Sequence, residues 1–461
     1  MFKHKIFSGR TGPQLGQEEF ASRRRTFFSR MRKNSVAVIV SNPEMVRSRD
    51  TEFPYRQSSD VLYLTGFPEQ GSAVVLSNLD GVESFSLFVL PKDAVKETST
   101  GIRFGEVGAR KTFGADKAYP QTEFATILGK LIEDAEVVYY HFGTNSDFDD
   151  QFRTIWLAEQ KPLYDPTDIL EQLRHVKSQA EVEVIRYACQ VSAMAHVEAM
   201  SLCVPGMFEY QLQAVIESVF GFNGLRANAY GSIVAGGNNA TVLHYTTNAE
   251  RLKQGSLVLV DAGGEYLGYA SDITRTFPVS GKFSDAQKEI YELVLAAQLA
   301  AIRAARPGQS LERIHAIAAN RLRRGLVKLG ILPSEMSTAR GARNAIRKAK
   351  SEGTIRKLPK LSDFFMHGTS HWMGLDVHDV PSDRSLRKDE LVPGNIFTVE
   401  PGLYFRADDS RVPRKYRGIG IRIEDDVRVT ADGYDVLTAS VPKSIAEIES
   451  LMSGAKARLS Q

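Results

Sequence analysis

The hydrophobic pattern of the chain centres on Ser256 to Val279, SLVLVDAGGEYLGYASDITRTFPV. Leu257 to Val260 is an apolar run that predicts a buried strand, and it ends on Asp261 ahead of Gly263 and Gly264. A return strand follows and presents Asp272, Thr274 and Thr276 on one face, because strand side chains alternate with period two. The pattern recurs further on. Ile396 to Val399 is a short apolar strand ending on Glu400, then Pro401 and Gly402. A second strand, Gly420 to Val427, puts Arg422, Glu424 and Asp426 on one face and Ile421, Ile423 and Asp425 on the other. One acid at a strand end is ordinarily a turn or cap residue. Two matched hairpins of this kind in one chain point instead to a site.

The rest of the pattern organises around these hairpins. Gln17 to Lys33 predicts a basic helix, and Ser35–Val40, Ser72–Leu76, Phe85–Leu90 and Val137–Tyr140 predict strands. Strands alternating with helices imply a mixed or parallel sheet with helices on its faces. A join between Pro166 and about Ser178 leads into helices at Ala180–Leu202 and Glu209–Gly221. Further helices are expected at Ser284–Ala305, Ser310–Leu329 and Ala446–Lys456. Between them, Ala339 to Lys360 carries eight basic residues against the single acid Glu352. It contains no aromatic residue and reads as a solvated insertion, peripheral or poorly ordered, not as a nucleic-acid surface.

A length of 461 residues calls for two or three domains. The 43% hydrophobic and 25% charged content is that of a globular protein, and no apolar run approaches the ~20 residues of a membrane span. The N-terminus is basic but lacks the apolar core of a signal peptide, so a cytoplasmic location is expected, with a mitochondrial one as the alternative. Cys189 and Cys203 sit in apolar helical contexts, which excludes a disulfide framework. A net charge of +3 gives no reason to expect nucleic acid or membrane as a partner.

Carboxylates beside apolar strands are costly, and facing pairs repel unless a cation lies between them. Histidines are supplied by MHGTSHWMGLDVHD, which places His367, His371 and His378 within twelve residues, and by His244 in LHYT. Three histidines in a glycine-interrupted loop favour a site over buried structural imidazoles.

Taken together and in order, HYT, VDAG, SDITRTFPV, MHGTSHWMGLDVHD, VEPGLYF and GIGIRIEDD resemble the pita-bread metallopeptidases in their aminopeptidase P branch. The likeness spans about Arg226 to Leu437, and PYRQSSD with LYLTGF resembles that branch's N-terminal domain. The resemblance implies an α/β N-terminal domain over residues 1–173 and an α+β pita-bread catalytic domain over 174–461. It assigns Asp261, Asp272, His371, Glu400 and Glu424 as ligands of two divalent ions, with Asp272 and Glu424 bridging them. Four carboxylates and one neutral imidazole carry a charge that balances two divalent cations, and an oxygen-rich set favours Mn²⁺. A water shared by the ions becomes the nucleophile. Glu400 is the expected general base, and His378 and His367 the expected hydrogen-bond donors to the oxyanion or the substrate backbone.

Peptides with proline at the second position are the implied substrates, with the ring held by His244, His367, Tyr404 and Arg422. Arg422 shares a strand face with Glu424, so it is equally placed to orient a ligand. The loop HDVPSDR, His378 to Arg384, is shorter than is common in the family and carries no aromatic residue apart from its histidine, which bears on the leaving-group pocket. The family also implies a homodimer or homotetramer. Prolidase, which cleaves only Xaa-Pro dipeptides, is the nearest rival; a pita-bread binding protein without catalysis and a metal-free creatinase-like amidinohydrolase are more distant ones.

Overall fold

The computed structural model describes residues 12–380 and 388–459, with the side chains beyond Gly454 left aside. The first eleven residues and positions 381–384 of the HDVPSDR loop therefore lie outside the described residues. The chain forms two compact units that divide between His175 and Val176, with Gly12 and Pro13 belonging to the second.

The first unit is built on a six-stranded mixed sheet in the order Lys117–Pro120, Val82–Val89, Ala73–Leu79, Ser35–Val40, Val137–Tyr140, Leu163–Tyr164. Every residue of Ser35–Val40 is buried, as expected of a central strand covered on both faces. Val38, Val75, Phe88, Leu128 and Phe152 belong to one core beneath it. The helix Gln17–Arg30 is basic, but its arginines are not all solvated. Arg23 and Arg24 are buried and donate to the carbonyls of Tyr63 and Leu64 at 3.0 and 2.8 Å. Those carbonyls end the helix Ser59–Thr65, where cations satisfy the orphan acceptors and complement the helix dipole.

The second unit is α+β. Its long helix Gln179–Leu202 opens with a capping box between Ser178 and Glu181, and Ser284 caps Asp285–Ile302 in the same way. Asp285–Ile302 and Leu311–Lys328 supply Ala301 and Ile314 to a core that includes Phe397 and Val427. Two three-stranded sheets carry the acids: Ile233–Gly236, Leu257–Asp261 and Thr274–Pro278 form one, and Ile396–Val399, Asp425–Val429 and Tyr434–Val436 the other.

Three expectations need correction. The return strand begins at Thr274, so Asp272 precedes it; the intervening chain is a long excursion containing the two-residue strand Gly264–Glu265. The strand expected over Gly420–Val427 is two strands. Ile419–Arg422 pairs with Gly402–Phe405, whereas Asp425–Val429 pairs with Ile396–Val399. Glu424 lies in the break because its N–H is spent on the carbonyl of Thr274, in the other hairpin. Third, the basic segment holds an ordered helix, Ala339–Ser351, capped by the Thr338 hydroxyl and packed through Ala349.

A candidate metal centre between two hairpins

The acid–x–glycine pattern has a steric origin. A Cβ on Gly263 would sit 1.7 Å from the Ser271 carbonyl oxygen, so only glycine lets the excursion fold back to deliver Asp272 beside Asp261. On Gly402 a Cβ would meet the Tyr404 hydroxyl at 2.4 Å. The first glycine thus makes room for backbone and the second for a side chain.

Each acid is placed by backbone hydrogen bonding. Asp261 ends its strand opposite Thr274. Ile396–Val399 runs between Asp425–Val429 and the segment carrying His371: Thr398 N–H donates to the His371 carbonyl at 2.9 Å and Glu400 N–H to that of Thr369 at 2.8 Å. Tyr404 N–H donates to the Phe364 carbonyl, which brings the start of the histidine segment to the Gly402–Phe405 strand.

Ligand atoms of Asp272, His371 and Glu424 converge to within 4.8 Å of one another. His371 Nε2 lies 3.4 Å from Asp272 Oδ2 and 3.9 Å from Glu400 Oε1. Asp261 and Asp272 share one donor, the Tyr230 hydroxyl, at 2.6 and 2.5 Å. Thus all five residues expected to hold metal face one region. His371 Nδ1 lies 3.1 Å from the Trp372 carbonyl, a pure acceptor, so Nδ1 carries a proton and Nε2 is the nitrogen turned toward Asp272 and Glu400.

The electrostatics report crowded acid. Burial, then the charges of Asp272, Glu400 and Asp261, push the Glu424 carboxyl well above its usual range. Burial likewise raises Glu400 to about 7, although His371 and Arg422 pull it down. Burial disfavours a proton on His371, but the Asp272 hydrogen bond and the Glu400 charge outweigh it and raise the ring to about 9. Protons and divalent cations compete for the same lone pairs. Four carboxylates and one imidazole on apolar strands suit two hard divalent ions, so the donor set fits the group.

Around this cluster runs a directional chain. Arg422 donates to Asp261 Oδ2 at 2.5 Å, to Thr274 Oγ1 at 3.0 Å and to the Tyr404 hydroxyl at 3.0 Å. Thr274 passes its own proton to Glu424 Oε2 at 2.6 Å. The Tyr404 hydroxyl meets His367 Nε2 at 2.7 Å, while His367 Nδ1 faces the Gly368 carbonyl at 2.7 Å and Glu400 Oε2 at 3.5 Å. Since a carbonyl only accepts, His367 is protonated on Nδ1 and accepts from Tyr404 through Nε2. Burial and the Arg422 charge depress its pKa to about 3, so it stays neutral. His378 is exposed, its ring 4.4 Å from that of His371. His244 is exposed too, near enough for its charge to depress His378.

Three contributors escaped the sequence reading. Tyr230 lies in a glycine- and asparagine-rich connection, where its only signal was being an aromatic in a polar loop. Asp426 accepts the Asp272 N–H at 2.9 Å, and buried Arg275 donates to the Glu424 carbonyl. Both act over long sequence separations that no local pattern reveals.

Residues 183–431 match the model of metallopeptidase family M24, and residues 20–139 that of the aminopeptidase P N-terminal domain. The Xaa-Pro aminopeptidase of Escherichia coli is 41% identical over 454 residues, covering 96% of this chain and 99% of its own length. The mitochondrial intermediate cleaving peptidase 55 of Arabidopsis thaliana is 34% identical over 456 residues, covering 97% and 85%. The solved structure of Pseudomonas aeruginosa aminopeptidase PepP superposes with a TM-score of 0.89 at 42% identity, covering 96% of this chain and 99% of that one. The second unit is accordingly a pita-bread catalytic domain whose family implies divalent metal ions. The chain belongs to metallopeptidase family M24, in its aminopeptidase P branch.

Proposed function

We infer that this chain is a metal-dependent Xaa-Pro aminopeptidase, releasing the first residue of peptides that carry proline second. The observation that carries the reading is the convergence of Asp272, His371 and Glu424, with Asp261 and Glu400 facing the same region. We assign Asp261, Asp272, His371, Glu400 and Glu424 as the ligands and Mn²⁺ as the ion. Two such ions would acidify a water and polarise the scissile carbonyl.

The chain's own groups do the rest. Glu400 takes the water's proton and returns it to the departing proline nitrogen. His378, exposed at the mouth of the site, donates to the developing oxyanion. A free α-amine seats beside Asp261, which limits cleavage to the first bond. His244 and Tyr404 hold the proline ring, which has no N–H to satisfy. Arg422 orients Asp261 and presents Tyr404, and His367 fixes the Tyr404 hydroxyl from its other side. The N-terminal domain, residues 1–173, contacts other subunits of a homodimer or homotetramer in the cytoplasm.

The test is hydrolysis of an Xaa-Pro-Xaa-Xaa peptide beside the Xaa-Pro dipeptide, each in EDTA and after adding Mn²⁺. Metal-dependent release of the first residue from the longer peptide is expected. Activity on the dipeptide alone would make the chain a prolidase, and failure to bind any divalent ion would make it a binding protein.

A further inference from the structure

His367, whose Nδ1 lies 3.5 Å from Glu400 Oε2, also lines a cavity of about 360 Å³. That is within the ~300–1,000 Å³ of pockets that take small ligands. Its floor is apolar, with Ala319, Leu332, Met336 and Ile346 among the lining residues. Three of the lining residues form a row of rings. His367 and Phe365 are 5.0 Å apart and edge-on, and Phe365 and His315 stack at 5.6 Å. Also lining it is the helix Ala339–Ser351, the segment that composition alone marked as a solvated insertion.

Two cations meet there. Arg323, partly buried, lines the cavity and feels the charge of Arg343 from the facing helix; burial first, then that charge, hold its guanidinium below its ordinary value. Its guanidinium donates to Asn320 Oδ1 at 2.6 Å, and no carboxylate pairs with Arg323 or Arg343 among the described residues. The nearby Asp363 does not serve, because Lys360 and Arg411 already engage it at 3.4 and 2.8 Å. A desolvated arginine next to a second one is costly unless an anion joins them.

We propose that this cavity, lined by His367 and Arg323, is a subsite for the leaving part of the peptide that recognises a carboxylate. The proposal rests on the aminopeptidase reading: with proline against Tyr404, whose hydroxyl is bonded to His367, the chain beyond it runs along the ring row. That row is about three residues long at ~3.4 Å per extended residue, so the carboxylate belongs to the fourth or fifth position of the substrate. An acidic side chain and the C-terminal carboxylate of a short peptide offer the same chemistry.

The test uses the full-length protein with Mn²⁺ and a series Ala-Pro-Ala-Ala-X-amide, X being Glu, Gln or Lys. It adds Ala-Pro-Ala-Ala with a free or an amidated C-terminus. A Glu-over-Gln preference of about fivefold in kcat/KM is expected, the scale of one partly exposed ion pair, with Lys below Gln. The double variant R323E/R343E should reverse the order to favour Lys, which loss of folding cannot mimic. The Ile346→Trp variant, which fills the floor without touching charge, should raise KM for Glu and Gln peptides together. A larger effect of freeing the C-terminus than of Glu against Gln would identify the terminal carboxylate as the ligand. Turnover of the Gln peptide with a Glu:Gln ratio near one, or a ratio unmoved by charge reversal, overturns the subsite while leaving the aminopeptidase intact. No turnover of any Xaa-Pro peptide overturns both.

Discussion

Replacing Arg275 by methionine isolates what holds the two hairpins together. Arg275 and Asp425 are both fully buried, and the guanidinium donates to Asp425 Oδ1 at 2.7 Å. It also donates to the carbonyls of Glu424, Thr274, Val441 and Pro442, so one side chain stitches four backbone positions across the sheet junction. Asp425 is held by Lys443 and Gln298 at 2.6 Å each and by Thr438 at 2.7 Å. Burial alone would raise its pKa, but the Arg275 and Lys443 charges win and lower it to about 2, so it is ionised throughout the neutral range.

Methionine fills similar space yet leaves four carbonyls short of a donor and a buried carboxylate with one cation fewer. Breaking a buried pair in this way costs roughly 3–5 kcal/mol, a large part of the ~5–15 kcal/mol that holds a domain folded. At ~2–4 °C per kcal/mol for a domain of this size, the melting temperature should fall by about 10 °C. Guanidinium unfolding in excess EDTA removes the contribution of metal binding to the comparison. In the cycle of Arg275→Met, Asp425→Asn and the double variant, the double should cost less than the sum of the singles by about 2 kcal/mol. Because Arg275 anchors the Glu424 carbonyl, Mn²⁺ affinity by calorimetry should also weaken, by about 10-fold or more. An Arg275→Met protein melting within 2 °C of wild type, with unchanged Mn²⁺ affinity, would refute the reasoning; that threshold is about 1 kcal/mol or less.

Two further outcomes follow from the same geometry. Stripped of metal by EDTA, the protein should lose stability as pH rises from about 7 to 9, above the range in which the depressed His196 and His367 act with the opposite sign, and Mn²⁺ should abolish that slope. Glu424 is raised well above its ordinary value and Glu400 to about 7, so their folded forms bind protons that the unfolded chain has already released; His371, raised to about 9, acts with the same sign. A flat or rising melting temperature over that range in EDTA would contradict it. Tyr230→Phe removes the hydroxyl shared by Asp261 and Asp272 and should lower kcat/KM by about 10-fold with the melting temperature little changed, the scale of one lost hydrogen bond to a charged ligand. Steady-state kinetics at saturating Mn²⁺ checks it, and wild-type kcat/KM would remove Tyr230 from the site.

What could be read in the sequence was what repeats locally. An apolar strand ending on an acid and followed within two residues by glycine is a local arrangement, and both copies are strands in the structure, Leu257–Asp261 and Ile396–Val399. The histidine segment was legible for the same reason, as three side chains close in sequence. Tertiary choice was not legible. Arg275 reaches Asp425 across 150 residues and Asp426 takes the Asp272 N–H across 154, and neither separation leaves a trace in periodicity. The basic helix Gln17–Arg30 misled for a related reason: composition cannot say that two of its arginines close the end of another helix.

The broken strand shows why the facing of these side chains was readable even where their strand pairing was not. From Ile419 to Val429 the chain changes partner at Ile423–Glu424, yet the alternation of side chains persists through the break. Arg422 and Glu424 reach the Thr274 hydroxyl, Asp426 caps the Asp272 N–H, and Asp425 points to the Arg275 side. Continuous pairing would have left the Glu424 N–H to a neighbouring strand. Handing it to the Thr274 carbonyl instead ties the second hairpin to the first at Glu424. Period two was therefore the right rule for which face each acid takes, and long-range hydrogen bonding decided which sheet each half of the strand joins.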